Sequence, residues 1–141
     1  MIFILPTDTC YGLAWEMNEQ DYREIYRLKW RDFSKRLAVL VRDFDSLREM
    51  ADISDQQIEI LKHYPHAWSI VLHKKNSYIL PEYMNQEEYS HISFRVARYC
   101  IQSEFHNNIS YPLFITSANI SGNLESKTLE KTKISFPGIE W

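Results

Sequence analysis

Glycine is scarce in this chain: of 141 residues only Gly12, Gly122 and Gly138 are glycine. The dinucleotide-binding G-x-G-x-x-G turn and the P-loop both need closely spaced glycines, so a glycine-rich phosphate loop is excluded. Any nucleotide must be held by other groups. Cysteine is scarce as well, and Cys10 and Cys100 form neither a disulfide framework nor a metal-ligand spacing. Lone thiols of this kind suit a reducing compartment. Long apolar runs are missing. The longest, residues 2–5 and 37–41, fall far short of the roughly 18–20 residues that cross a bilayer. No basic stretch precedes the first run, which stops at Pro6, so no signal peptide is expected. An excess of positive charge is also missing: the net charge is −3 and the isoelectric point about 5.9. That disfavours a globally basic nucleic-acid binder while allowing a local patch. His63, His66, His73, His91 and His106 show no metal-binding spacing, so no protein-held metal is expected. These absences lead to a soluble, cytoplasmic, single domain over residues 1–141.

The chain contains enough to fold. Hydrophobic residues make up 45% and charged residues 25%, which is ordinary globular composition. Residues 2–5, 37–41, 68–73, 92–97 and 112–116 read as strands, short and apolar or alternating. Asn18 is placed to cap a helix whose Tyr22, Ile25, Tyr26 and Lys29 stem share one face. That helix is expected to end near residues 29–31. Residues 44–51 read as helical, and Ser54-x-x-Gln57 is a capping-box pattern opening a helix that Pro65 stops. Residues 99–105 suggest a short helix. Residues 79–88 and the tail after Gly122 carry no clear pattern. Strands alternating with helices predict an α/β fold with a mixed sheet. The 14% aromatic content is expected to fill the core rather than stack on bases.

Two segments stand out chemically. Residues 23–42 hold seven Lys/Arg against two acids. Such cations between a helix end and a buried strand converge on phosphates, or simply solvate the helix end. The second is Thr116-Ser117-Ala118-Asn119-Ile120-Ser121-Gly122, directly after a strand. Small polar side chains at that position let a ligand approach backbone, and a plain polar turn is the simpler reading. Asp8 is a candidate general base. Cys10 has no base partner or motif to make it a nucleophile, so a buried, inert thiol is expected. Arg95 interrupts an apolar strand, and a charge there must be salt-bridged or hold an anion.

Taken together, these segments resemble the YrdC/YciO family. Pro6-Thr7-Asp8-Thr9-Cys10-Tyr11-Gly12-Leu13 is similar to its P-T-[DE]-T-x-Y-G-L signature. Lys29-Trp30-Arg31 resembles its K-x-R, and Ser93-Phe94-Arg95-Val96 its strand with a lone arginine. Residues 112–122 resemble its P-L-x-x-T-S-A-N-x-S-G. The likeness runs over residues 3–128, in matching order. It departs at Arg36, where the family has proline, and at Pro65-His66-Ala67 and Ser69, where the family has P-G-P-x-T. The family's serine/threonine-rich C-terminal closing segment is expected to be absent.

The resemblance implies a twisted mixed sheet with flanking helices and a concave basic cavity. It implies an L-threonylcarbamoyladenylate synthase, a nucleotidyltransferase-type enzyme that supplies tRNA threonylcarbamoyladenosine modification and so translation. Its substrates would be ATP, L-threonine and bicarbonate, with Mg²⁺ on the ATP phosphates. Lys29 and Arg31 would be catalytic. Thr7, Tyr11, Arg95 and Thr116 would surround threonine and bicarbonate. Lys35, Ser117, Ala118, Asn119 and Ser126 would line ATP. Partners would include tRNA or double-stranded RNA and tRNA-modifying proteins, and no membrane. The alternatives are a non-synthesising YciO-like or degenerate member that binds nucleotide or RNA, and an interaction module that uses the fold as a scaffold.

Overall fold

In the computed structural model, residues 1–29, 37–84, 86–106, 108–117 and 128–136 are described. Twelve elements lie within them: β1 (Ile2–Pro6), β2 (Tyr11–Glu16), α1 (Glu19–Leu28), β3 (Ala38–Val41), α2 (Phe44–Met50), α3 (Asp55–His63), β4 (Ile70–His73), β5 (His91–Val96), α4 (Ala97–Cys100), α5 (Ser103–His106), β6 (Leu113–Ser117) and α6 (Leu129–Ser135). The six strands form one sheet in the order β1-β2-β6-β3-β5-β4. Only β3 and β5 run parallel, and the other pairs are antiparallel. The expected mixed α/β sheet with flanking helices is therefore the observed architecture.

Local signals explain most element boundaries. Asn18 Oδ1 accepts from the Asp21 N–H at 2.8 Å and starts α1. The Ser54/Gln57 capping box is complete and starts α3. Three differences from the sequence expectation have non-local or hidden causes. Tyr11–Glu16 is a strand because it closes a hairpin on β1, with Pro6 opposite Tyr11. The helix expected at 99–105 is two short helices, because Ile101 takes an extended conformation (φ −126°, ψ 140°) and buries its side chain. The tail beyond Gly122 contains α6, started by Thr128, whose hydroxyl accepts from the Lys131 N–H.

Side-chain alternation splits the sheet's two faces. Leu13, Trp15, Val39, Phe94 and Phe114 point to one face, where α1, α2 and Ile58 of α3 cover them in the larger core. Trp15 and Phe114 sit opposite each other in the β2–β6 register, with ring centroids 5.5 Å apart. The other face carries Leu5, Ala14, Leu40, Leu113 and Ile115, packed under Ala97, Cys100 and Ile101. Those short elements cover only part of that face. Ala38, Val71 and Ser93, further along the same face, line an open cleft instead.

Phe94 is fully buried on β5, in the interior of the sheet. Phe94→Ala is expected to cost about 3–5 kcal/mol of stability in urea unfolding. An unchanged unfolding midpoint would contradict this packing.

Candidate functional site

Beyond those elements the same face reaches the place where β6 ends, β3 begins and the β1–β2 turn crosses. Two adjoining cavities open there and share Ala38, Ile115, Thr116 and Ser117 along their walls. The inner one, about 160 Å³, adds Thr7, Cys10, Gly12 and Arg95. The outer one, about 370 Å³, adds Leu37, Val71, His91 and Ser93. Gly12 is needed for closeness: a Cβ there would meet Ile115 Cγ1, Ile115 Cδ1 and the Thr116 carbonyl oxygen, each at 3.3 Å.

Each wall is held by a specific contact. The Thr7 hydroxyl donates to the Cys10 carbonyl at 2.7 Å and braces the turn. The Asp8 N–H donates to the Cys100 carbonyl at 3.0 Å, tying the turn to α4. The Arg95 guanidinium forms an ion pair with Asp8 and donates from Nε to the Trp68 carbonyl at 3.2 Å. Of the two possibilities for a strand arginine, this structure has the salt bridge. The pair keeps side-chain exposures of 13% and 28%, and Arg95 lines the inner cavity.

Lys29 sits behind the opposite wall. Its residue is the C-cap of α1, and its side chain has 0% exposure. Nζ donates to Thr116 Oγ1 at 2.8 Å and to the Ser117 carbonyl at 2.6 Å. The ammonium therefore acts on the cleft through the end of β6. Burying it costs several kcal/mol, which these charge-assisted hydrogen bonds offset.

Of the sequence-predicted residues, Thr7, Arg95, Thr116 and Ser117 line the cleft, and Lys29 supports its wall. Tyr11 does not line either cavity. It shares the parity of Leu13 and Trp15 and packs against the larger core. Arg31, Lys35, Ala118, Asn119 and Ser126 lie outside the described residues, as does most of the 30–36 basic stretch. Cys10 differs from the expectation of a buried thiol: it is half-exposed and lines the inner cavity, while Cys100 is buried. Asp8, a candidate general base on sequence grounds, is the ion-pair partner of Arg95, and Val71 and His91 line the cleft without a role read from the sequence. For His91 and Val71 the signal was available, since strand alternation puts them on the face of Ser93 and Arg95.

A third cavity, about 330 Å³, lies at the other end of the same face between Phe3, Leu5, Phe105, Ile109 and Leu113. Among the described residues lining it only Glu16 is charged, so it offers no cation for a phosphate or carboxylate. Among the described residues no group of three or more His, Cys, Asp or Glu could hold a metal, and no helix is long and apolar enough to cross a membrane.

A family model described as Sua5_yciO_yrdC, telomere recombination, matches residues 1–139. A putative threonylcarbamoyl-AMP synthase of Methanocaldococcus jannaschii is 33% identical over 132 residues, covering 92% of this chain and 60% of that protein. The chain thus spans about 60% of the length of that relative. The structure of P. abyssi Sua5 complexed with L-threonine superposes with a TM-score of 0.77 at 21% identity, covering 99% of this chain and 41% of that one. E. coli YciO superposes with a TM-score of 0.75 at 18% identity, covering 99% and 68%. At these identities the superpositions establish the shared fold.

Burial pushes the Cys100 thiol up to about 11, so it stays protonated at pH 8, and only thiolate attacks disulfide reagents. An aromatic disulfide reagent at pH 8 is expected to label Cys10 promptly and Cys100 only after unfolding. Equal rates at both would contradict the cover that α4 gives Cys100.

Proposed function

This chain belongs to the Sua5/YciO/YrdC family, and we propose that it is an L-threonylcarbamoyladenylate synthase. In the proposed reaction bicarbonate and the threonine amine give a carbamate and water. The carbamate oxygen attacks the α-phosphorus of ATP, forming threonylcarbamoyl-AMP and releasing pyrophosphate. No covalent enzyme intermediate is needed, which suits a cleft of hydroxyls and fixed charges acting by positioning.

The observation that carries this reading is Arg95, which lines the small inner chamber together with Thr116 and Ser117 and is ion-paired with Asp8. A zwitterionic amino acid matches such a pair: its carboxylate takes Arg95 and its amino group lies toward Asp8. The inner chamber suits a small amino acid such as threonine, with Thr7 and Thr116 beside it. The adjoining outer chamber suits the nucleotide, with Ser117 at the junction. Lys29 is a positioning residue here, fixing the hydroxyl of Thr116 and the turn of chain after Ser117. Arg31, Lys35, Ala118, Asn119 and Ser126 remain proposed phosphate contacts by their match to the family pattern. Mg²⁺ would arrive on the phosphate oxygens as part of the ATP substrate. The names of the curated relatives, threonylcarbamoyl-AMP synthases, support that product, and its use in tRNA modification is part of the proposal. Direct contact with tRNA or with tRNA-modifying proteins is a further part of the proposal.

The test is pyrophosphate and threonylcarbamoyl-AMP formed from ATP, L-threonine, bicarbonate and Mg²⁺. Threonine-dependent pyrophosphate release is expected. Nucleotide binding without it would favour the non-synthesising alternative. Arg95→Ala is expected to raise the threonine requirement while leaving the KM for ATP nearly unchanged. Lys29→Ala is expected to cut kcat by one to several orders of magnitude, about 2–4 kcal/mol, at a temperature where circular dichroism shows the variant folded. Unchanged kinetics in both variants would contradict the site assignment.

A further inference from the structure

The cavity of about 330 Å³ at the other end of the sheet face is built apart from the cleft. Among the described residues, none lines both. Strand parity sets its floor. Phe3 and Leu5 alternate along β1, and Leu113 opens β6 on the same face. Glu16 ends β2 directly opposite Leu113. Phe3 stands opposite Ala14, two residues before Glu16, so Glu16 shares this face with Phe3. The wall is the end of α5 and the chain that follows it, where Phe105 and Ile109 supply apolar surface.

The lining is apolar with a single kind of charge. Phe3, Phe105 and Ile109 pack against the smaller core yet are only half-buried, and all three line the cavity. Water against such surface finds few hydrogen-bond partners, and replacing it with an apolar group is favourable. The volume falls at the low end of the roughly 300–1,000 Å³ range of small-molecule sites. Glu16 is the one charged residue among the described lining, and it is exposed. Among the described residues no ion pair engages its carboxylate. A carboxylate close to two phenyl groups favours a cation, because the charge and the ring faces both attract it. The same carboxylate repels an anion.

We infer that this cavity is a second ligand site, for a compact organic amine. Its aromatic or branched apolar body lies against Phe3, Phe105 and Ile109, and its ammonium group lies toward Glu16. A free small molecule fits better than a protein segment, because the apolar surface is concave and confined rather than spread over a flat face. The site goes beyond the synthase reading and stands without it.

Amide chemical-shift titration of the isotope-labelled full chain at neutral pH tests it. The separate probes are phenethylamine, phenethyl alcohol and phenylacetate, which share a phenyl body and differ in charge. Phenethylamine is expected to shift Phe3, Leu5, Glu16 and Leu113, with a Kd of about a millimolar or tighter. The alcohol is expected to bind about fivefold more weakly, the size of one exposed charge pair, and phenylacetate more weakly still. Glu16→Gln is expected to bring the amine down to the affinity of the alcohol and leave the alcohol unchanged. Ile109→Trp, which fills the cavity, is expected to abolish binding of both. Glu16 is exposed and Ile109 half-buried, so thermal melting of the variants should match the parent. Absence of shifts, or shifts confined to the Thr7 to Gly12 turn, overturns the site. So does phenylacetate binding as tightly as the amine, a preference for the amine that survives Glu16→Gln, or full amine affinity in a folded Ile109→Trp. None of these results bears on threonine-dependent pyrophosphate release, so this inference and the synthase reading fail separately.

Discussion

The buried ammonium of Lys29 is the contact on which the arrangement of this site depends. It joins the C-terminal end of α1 to the C-terminal end of β6, across 87 positions of sequence, by hydrogen bonds to Thr116 Oγ1 and the Ser117 carbonyl. A charge with no exposed surface is tolerated only when its donors are used, so the contact fixes both partners at once. The helix face leading to it, Tyr22, Ile25 and Tyr26, is buried against the sheet and sets where the lysine stem emerges. Burial also pushes the Tyr22 phenol up to about 12 and raises that of Tyr26 further, so both stay neutral hydrogen-bonding groups. Tyr89 completes this region by accepting the Leu37 N–H at 3.2 Å where the chain enters β3. The chain on both flanks of the basic 30–36 stretch is therefore held by hydrogen bonds to distant residues.

The location of the cleft follows from the sheet. Among the described residues, one face is packed under helices α1, α2 and α3, while the other is covered by α4, α5 and their connections. The part left open coincides with the end of β6 and the β1–β2 turn, both rich in hydroxyls. Among the described residues lining the cleft, charge enters through Arg95, and Asp8 both neutralises it and orients it.

Much of this was legible in the sequence, for local reasons. Asn18 and the Ser54/Gln57 box announce helix starts through hydrogen bonds made within three residues. The 22-25-26-29 spacing already put the Lys29 stem on the buried face of α1. What was not legible depends on partners far away in the chain. Tyr11–Glu16 is a strand because β1 and β6 flank it. Tyr11 packs against the larger core and lines neither cavity. Arg95 required a partner, but nothing in the sequence chose Asp8, 87 positions earlier, over a ligand carboxylate. The α6 helix escaped notice because its apolar anchors are few, and burial of Thr132 and the start of the helix at Thr128 come from tertiary context.

The central claim is that the cleft between the Arg95–Asp8 pair and the Lys29-held end of β6 takes both L-threonine and ATP. Amide hydrogen exchange with and without L-threonine and Mg·ATP tests it most directly. Protection is expected in the Thr7 to Gly12 turn, in Leu113–Ser117 and near His91. Protection confined to the apolar cavity around Phe3, Phe105 and Ile109, with those segments unchanged, would contradict it.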